Sequence, residues 1–242
     1  MNVSVETVTG SNILNILFQI GVGGYVVLGI LFVFSVIAWA IIFYKARALR
    51  TIGKESQKFL ELYHENTDLG EVYAACVVFR MAPIVRLFKA GYLDLQRIRK
   101  EMMTIKVERK INLEAVFNDW IEEFTSVLQE TLVRETAFLE RFLIFLAITS
   151  STAPLLGLLG TVWGVMVAFW SVGQQGYTSL STVAPGVSAA LVTTIGGLLT
   201  AIPAAIAYNS LLNRVKVLSS ELECFASEFT SIVRRELRKG WK

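Results

Sequence analysis

Between Phe142 and Asn213 the sequence has no aspartate, glutamate, lysine, arginine or histidine, although charged residues make up 18% of the chain. A helix rises 1.5 Å per residue, so one membrane crossing takes about 20 apolar residues. The stretch is too long for one crossing and suits two. It reads as a hairpin whose polar middle, residues 173–182, is a short surface turn rich in turn formers. The chain also has no lysine or arginine before Lys45, which excludes the basic start of a cleaved secretory signal. Its two cysteines, Cys76 and Cys224, exclude a disulfide framework and a thiolate metal cluster, and its one histidine, His64, stands alone. There is no phosphate-cradling glycine loop and no nucleophile–base spacing. These absences speak against an enzyme and imply neither cofactor nor metal.

What is present is apolar. The 242 residues are 54% hydrophobic with a mean hydropathy of +0.54, the composition of a polytopic membrane protein. A net charge of only +3 gives no case for nucleic acid. The predicted fold class is an all-α integral membrane protein, with three transmembrane helices and long helical cytoplasmic extensions forming a bundle. Residues 1–20 form a periplasmic segment and 21–44 the first span. Residues 45–141 form a cytoplasmic helical domain, 142–172 the second span, 173–182 the periplasmic turn, 183–213 the third span and 214–242 a cytoplasmic helix. Orientation follows from the cations. Sixteen of the 23 lysines and arginines lie between Lys45 and Arg141 and seven from Arg214 onward, so the positive-inside rule places the N-terminus and the turn outside.

The cytoplasmic segments read as helices. The first span continues to about Tyr63, a turn follows at residues 64–67, Thr67 or Asp68 caps the next helix, and Pro83 suits the first turn of another. Leu113, Phe117, Trp120, Phe124, Val127, Leu128 and Phe138 recur at helical spacing. No breaker separates them from the second span, so one helix is expected to run from cytoplasm into membrane. In the tail, Leu212, Val215, Leu218, Leu222, Phe225, Phe229 and Ile232 form a seam expected to pack on that stripe.

Within the second span Gly157, Gly160, Thr161, Gly164 and Ala168 fall largely on one face. In the third, Ala190, Thr194, Gly197 and Ala201 do the same, with Thr193 beside them. Small faces let helices approach closely. The Gly21, Gly23, Gly24 and Gly29 set implies close packing of the first span. The Thr161 hydroxyl either bonds back to its own helix or lines a wet pathway. Pro154 and Pro203 free the Ser150 and Leu199 carbonyls, and a structural kink explains them as well as a functional one. The assignments to packing and kinks are Pro154, Gly157, Gly160, Gly164, Pro185, Gly186, Gly197 and Pro203. No span holds an acid or histidine, so a proton relay confined to this chain has no carrier.

The strings Ala153-Pro-Leu-Leu-Gly-Leu-Leu-Gly-Thr-Val-Trp-Gly164, Val183-Ala-Pro-Gly-Val-Ser-Ala-Ala-Leu191 and Ala201-Ile-Pro-Ala-Ala-Ile-Ala-Tyr-Asn209 closely resemble the TolQ/ExbB branch of the MotA/TolQ/ExbB proton-channel family. The resemblance implies a bacterial inner-membrane motor subunit driven by the proton motive force. It implies a homo-oligomer, a pentamer around two copies of a single-span TolR/ExbD-like partner whose membrane aspartate carries the proton, and a TolA/TonB-like periplasm-spanning protein beyond. It places the family's pore threonines on Thr161 and Thr194. One departure is clear: Ala189 stands where many members carry glutamate. A non-conducting scaffold anchoring an envelope complex is the competing reading. A self-contained secondary transporter ranks third for want of an intramembrane ionisable group and an inverted repeat.

Overall fold

In the computed structural model, residues 21–66, 68–79, 81–105, 113–175 and 180–241 are described; the N-terminal segment read over 1–20 and residues 176–179 of the turn read over 173–182 lie outside them, and the rest of that turn is helical, up to Gln175 and from Leu180. The described residues form six helices and no strand. These are α1 (Val22–Glu65), α2 (Leu69–Ala75), α3 (Pro83–Ile105), α4 (Leu113–Glu140), α5 (Leu143–Gln175) and α6 (Leu180–Trp241). Three of them, α1, α5 and α6, contain stretches long and apolar enough to cross a membrane. They carry large apolar side chains on the outside: Phe32 is 71% exposed, Trp170 72% and Leu199 69%. Such a surface is unstable against water and suits lipid. The chain is an all-α membrane protein.

Contacts divide it into two units, one made of the chain up to Tyr44 with Phe142–Ser210, the other of Lys45–Arg141 with the chain from Leu211 onward. In the first unit α1 packs on α5 and α6 through Val27, Leu31, Ala153 and Ala201, with Leu156 against them. Of the glycines of the first span, Gly23 meets the Trp163 indole and Gly24 is buried, whereas Gly21, just before α1, and Gly29 have open space where a side chain would go. Close packing therefore holds for two of the four.

The second unit is built around aromatic rings. Phe59 and Tyr63 of α1, Phe88 of α3, Phe124 of α4 and Phe225 and Phe229 of α6 are all buried. Their rings touch, Phe124 on Phe229 at 5.5 Å, Phe88 on Phe229 at 5.3 Å and Tyr63 on Phe225 at 5.0 Å. The tail seam thus meets the α4 stripe, as its periodicity predicts, and also α1 and α3. Gly91 leaves the flat spot this needs, because a Cβ there would lie 2.6 Å from the Phe229 ring. A bidentate pair then ties α3 to α4, Arg86 donating through Nε at 2.7 Å and Nη2 at 2.5 Å to the buried Glu135 carboxylate.

Local signals settle most of the helix ends. Asp68 is the residue that caps α2, accepting from Gly70 N at 2.8 Å, and Pro83 opens α3, where its missing N–H costs nothing. His64 belongs to the last turn of α1 rather than to the turn after it, with Nε2 3.3 Å from a Glu228 oxygen.

The expectation of one unbroken helix into the second span is wrong. Helix α4 ends at Glu140, α5 begins at Leu143, and Phe142 between them has φ +72°, in the left-handed region that costs a non-glycine residue about 1–2 kcal/mol. Compensation comes from far along the chain. Lys45, only 5% exposed, donates from Nζ to the Leu139 carbonyl at 2.9 Å, so a cation sits on the negative end of α4. The Tyr44 ring meets Phe142 edge-on at 6.5 Å. Nothing local in Glu140-Arg-Phe-Leu143 signals a break.

Two outcomes are expected. Truncating Phe229 to alanine should cost about 3–5 kcal/mol in the second unit, as for other large aromatic deletions, and appear as a lower melting temperature in detergent. Replacing Lys45 by methionine, which keeps the stem but removes the donor, should cost about 1–3 kcal/mol by stranding the Leu139 carbonyl. Lys45→Arg should recover part of that in the same melt.

Candidate site between the small-residue helices

Helices α5 and α6 run antiparallel and meet backbone to backbone. A Cβ on Gly157 would lie 2.9 Å from the Thr193 carbonyl oxygen and 3.0 Å from Thr194 Cα; one on Gly197 would lie 2.6 Å from the Ala153 carbonyl oxygen. Further along, a Cβ on Gly160 would strike the Thr193 side chain at 2.5 Å, one on Gly164 the Ala190 Cβ at 2.6 Å, and one on Gly186 the Ala168 Cβ at 2.9 Å. The partners recede along α6 as the glycines advance along α5, which is an antiparallel register with small residues on both sides. Gly157, Gly160, Gly164, Gly186 and Gly197 are therefore all brought to one seam. Pro154, Pro185 and Pro203 lie inside helices that continue through them. Of the hydroxyls near Pro154, Thr152 turns back to Ile148 O at 2.8 Å and Ser150 to Ala147 O at 2.7 Å, whereas that of Thr149 is buried without a hydrogen-bond partner; Thr200 turns back to Gly196 O at 3.0 Å.

Thr161 and Thr194, on different helices and 33 residues apart, are brought together with their hydroxyl oxygens 3.4 Å from each other. Thr161 donates to Leu158 O at 2.7 Å, the back-bond typical of a membrane threonine, and this leaves its oxygen as an acceptor. Thr194 lies within reach of Gly157 O at 3.2 Å as well. Both threonines are half-buried. The neighbouring Thr193 is fully buried, 2.7 Å from Ala190 O and 3.0 Å from Gly157 O, and so crosses between the helices. Sequence periodicity placed Thr193 only beside the small face; the adjacent Thr193-Thr194 pair was the available signal, and only the packed geometry separates their partners.

A cavity of about 190 Å³ opens beside this seam, lined by Gly160, Trp163, Gly164, Ser171, Ala189, Ala190 and Thr193 among others. At about 30 Å³ per water it has room for a handful. Ala189 is 2% exposed on its wall. From Phe142 to Asn213 no aspartate, glutamate, lysine, arginine or histidine is present to line it. Among the described residues no group of three or more histidine, cysteine, aspartate or glutamate side chains is placed to hold a metal. The arrangement offers hydroxyls and carbonyls, which can relay a proton or solvate one in transit but cannot keep it. A carboxylate brought from outside the chain would supply the missing carrier.

Because Gly157 faces backbone, Gly157→Ala has no flexible side chain to displace. It should cost about 1–3 kcal/mol as an overpacked contact, read as a lower melting temperature in detergent. Gly29→Ala, where the added methyl meets open space, should be neutral or slightly stabilising in the same assay.

The sequence profile of the MotA/TolQ/ExbB proton channel family matches residues 94–224. The Tol-Pal system protein TolQ of Pseudomonas aeruginosa is 34% identical over 84% of this chain and 84% of its own. That of Haemophilus influenzae is 32% identical over 93% and 95%. The biopolymer transport protein ExbB of Salmonella typhimurium is 29% identical over 84% and 78%. A profile match over more than half of the chain, with such identity along most of its length, is not produced by shared hydropathy alone, and the chain belongs to the MotA/TolQ/ExbB proton channel family, as a TolQ/ExbB-like membrane subunit.

Proposed function

We propose that this chain is the pore-forming subunit of a motor driven by the proton motive force in the bacterial inner membrane. In this reading its N-terminus is periplasmic and its C-terminus cytoplasmic. Five copies surround two copies of a TolR/ExbD-like single-span protein, and a TolA/TonB-like protein takes the output across the periplasm to envelope or outer-membrane processes. The observation that carries the reading is the Thr161–Thr194 contact, with its 3.4 Å oxygen separation, in a hairpin free of carboxylates, histidine, lysine and arginine. Hydroxyls without a carboxylate make half of a proton path. The partner's membrane aspartate is the other half.

The available energy is adequate. One charge crossing 100 mV releases about 2.3 kcal/mol, comparable with the about 1–3 kcal/mol that couples sites in conformational switches. Orientation in this reading rests on the cation distribution, which leaves the first span and the hairpin turn without lysine or arginine on the outer side.

A non-conducting scaffold is favoured by one specific feature, Ala189 on the cavity wall where glutamate stands in many relatives. The two readings part on function rather than on folding. Thr161→Val and Thr194→Val keep side-chain shape and remove the hydroxyl. Each should lower proton flux per assembled complex by at least about tenfold, the effect of about 1.4 kcal/mol on a barrier, while oligomer mass by native mass spectrometry stays that of the parent. Full activity in both variants would sink the pathway and leave the scaffold.

A further inference from the structure

Thr193 has one hydroxyl proton and two carbonyls in reach, Ala190 O at 2.7 Å on its own helix and Gly157 O at 3.0 Å on α5. Thr194 likewise has one proton and two acceptors, the same Gly157 O at 3.2 Å and the Thr161 oxygen at 3.4 Å. The proton of Thr161 is committed to Leu158 O at 2.7 Å, so Thr161 can only accept from Thr194. The Gly157 carbonyl is therefore shared. Besides its place in the α5 backbone ladder it faces two hydroxyls, and its two lone pairs cannot serve a third donor well.

From this we infer that Thr193 is a positioning residue for the Thr161–Thr194 pair: when it donates to Gly157 O it turns the Thr194 proton toward Thr161, and when it donates to Ala190 O it lets Thr194 fall back onto Gly157. The inference rests on the pathway reading above and deepens it. Only one of the two arrangements links the helices through hydroxyls. Thr193 itself is fully buried and its proton stays within the α5–α6 seam, so it acts through Thr194 rather than on a transferred proton. Removing its hydroxyl frees Gly157 O permanently for Thr194. The Thr161–Thr194 link is then broken, although both threonines remain.

The test is proton flux per assembled complex in inverted membrane vesicles from the native host, with the full chain expressed from its own locus and cells lacking the chain as the blank. Thr193→Val should lower flux about tenfold, on the scale of one hydrogen bond redirected, with assembly and melting temperature like the parent. Thr193→Ser, which restores the hydroxyl in a smaller side chain, should return flux to within about twofold of the parent. A packing role alone would not give this recovery, because serine fills the site less well than valine. Parental flux in Thr193→Val beside lost flux in Thr194→Val would overturn the positioning role and keep the pathway. Flux per assembled complex that falls in Thr193→Ser at least as far as in Thr193→Val, with a lower melting temperature in both, would overturn it in favour of packing. Parental flux in Thr194→Val would remove the pathway reading and the role of Thr193 together.

Discussion

Helices α5 and α6 approach until backbone faces backbone, and this contact underlies the rest of the membrane unit. Hydrocarbon supplies no water to satisfy or separate polar groups, and gives apolar side chains no reason to prefer protein over lipid. What remains is close van der Waals packing and the hydrogen bonds that closeness permits. Gly157 opposite Gly197 and Thr193 sets the separation, and at that separation a hydroxyl on one helix reaches a carbonyl on the other. A single methyl at Gly157 would move the helices apart and with them the threonines. Packing and chemistry are thus the same contact seen twice.

The second unit solves a different problem by ordinary means. Its elements come from two stretches of the chain, and an aromatic cluster with Phe229 at its centre gathers them. Burying such rings stabilises by area, and their tilted and edge-on pairings add to it. Ionic ties such as Arg86 with Glu135 orient the helices more than they stabilise them, since the carboxylate had to be desolvated first. Lys45 belongs to the same unit and donates to the Leu139 carbonyl in the last turn of α4.

These two constructions explain why the candidate site has so little chemistry of its own. A seam of hydroxyls and carbonyls carries no charge, which membrane insertion favours. Ala189 goes further in the same direction, since a methyl side chain on the cavity wall brings no charge into the membrane.

The class of the protein, its apolar stretches and its small-residue faces were legible in the sequence, because hydropathy, charge placement and helical periodicity are properties of residues taken in order. The capping of α2 by Asp68 and the start of α3 at Pro83 were legible for the same reason, since caps act over a few residues. The end of α4 was not: Lys45, which donates to the Leu139 carbonyl there, is 94 positions from it, and no local residue disfavours continuing the helix. Nor could periodicity choose among the glycines of α1, of which Gly23 touches an indole and Gly29 touches nothing, or distinguish Thr193 from Thr194. Adjacent residues on a helix differ by about 100° in direction, and what each meets there depends on the neighbour's register. The residue types come from the sequence, and only the packed helices decide which hydroxyl faces which carbonyl, because a hydrogen bond tolerates a few tenths of an ångström and sequence spacing does not resolve so fine a distance.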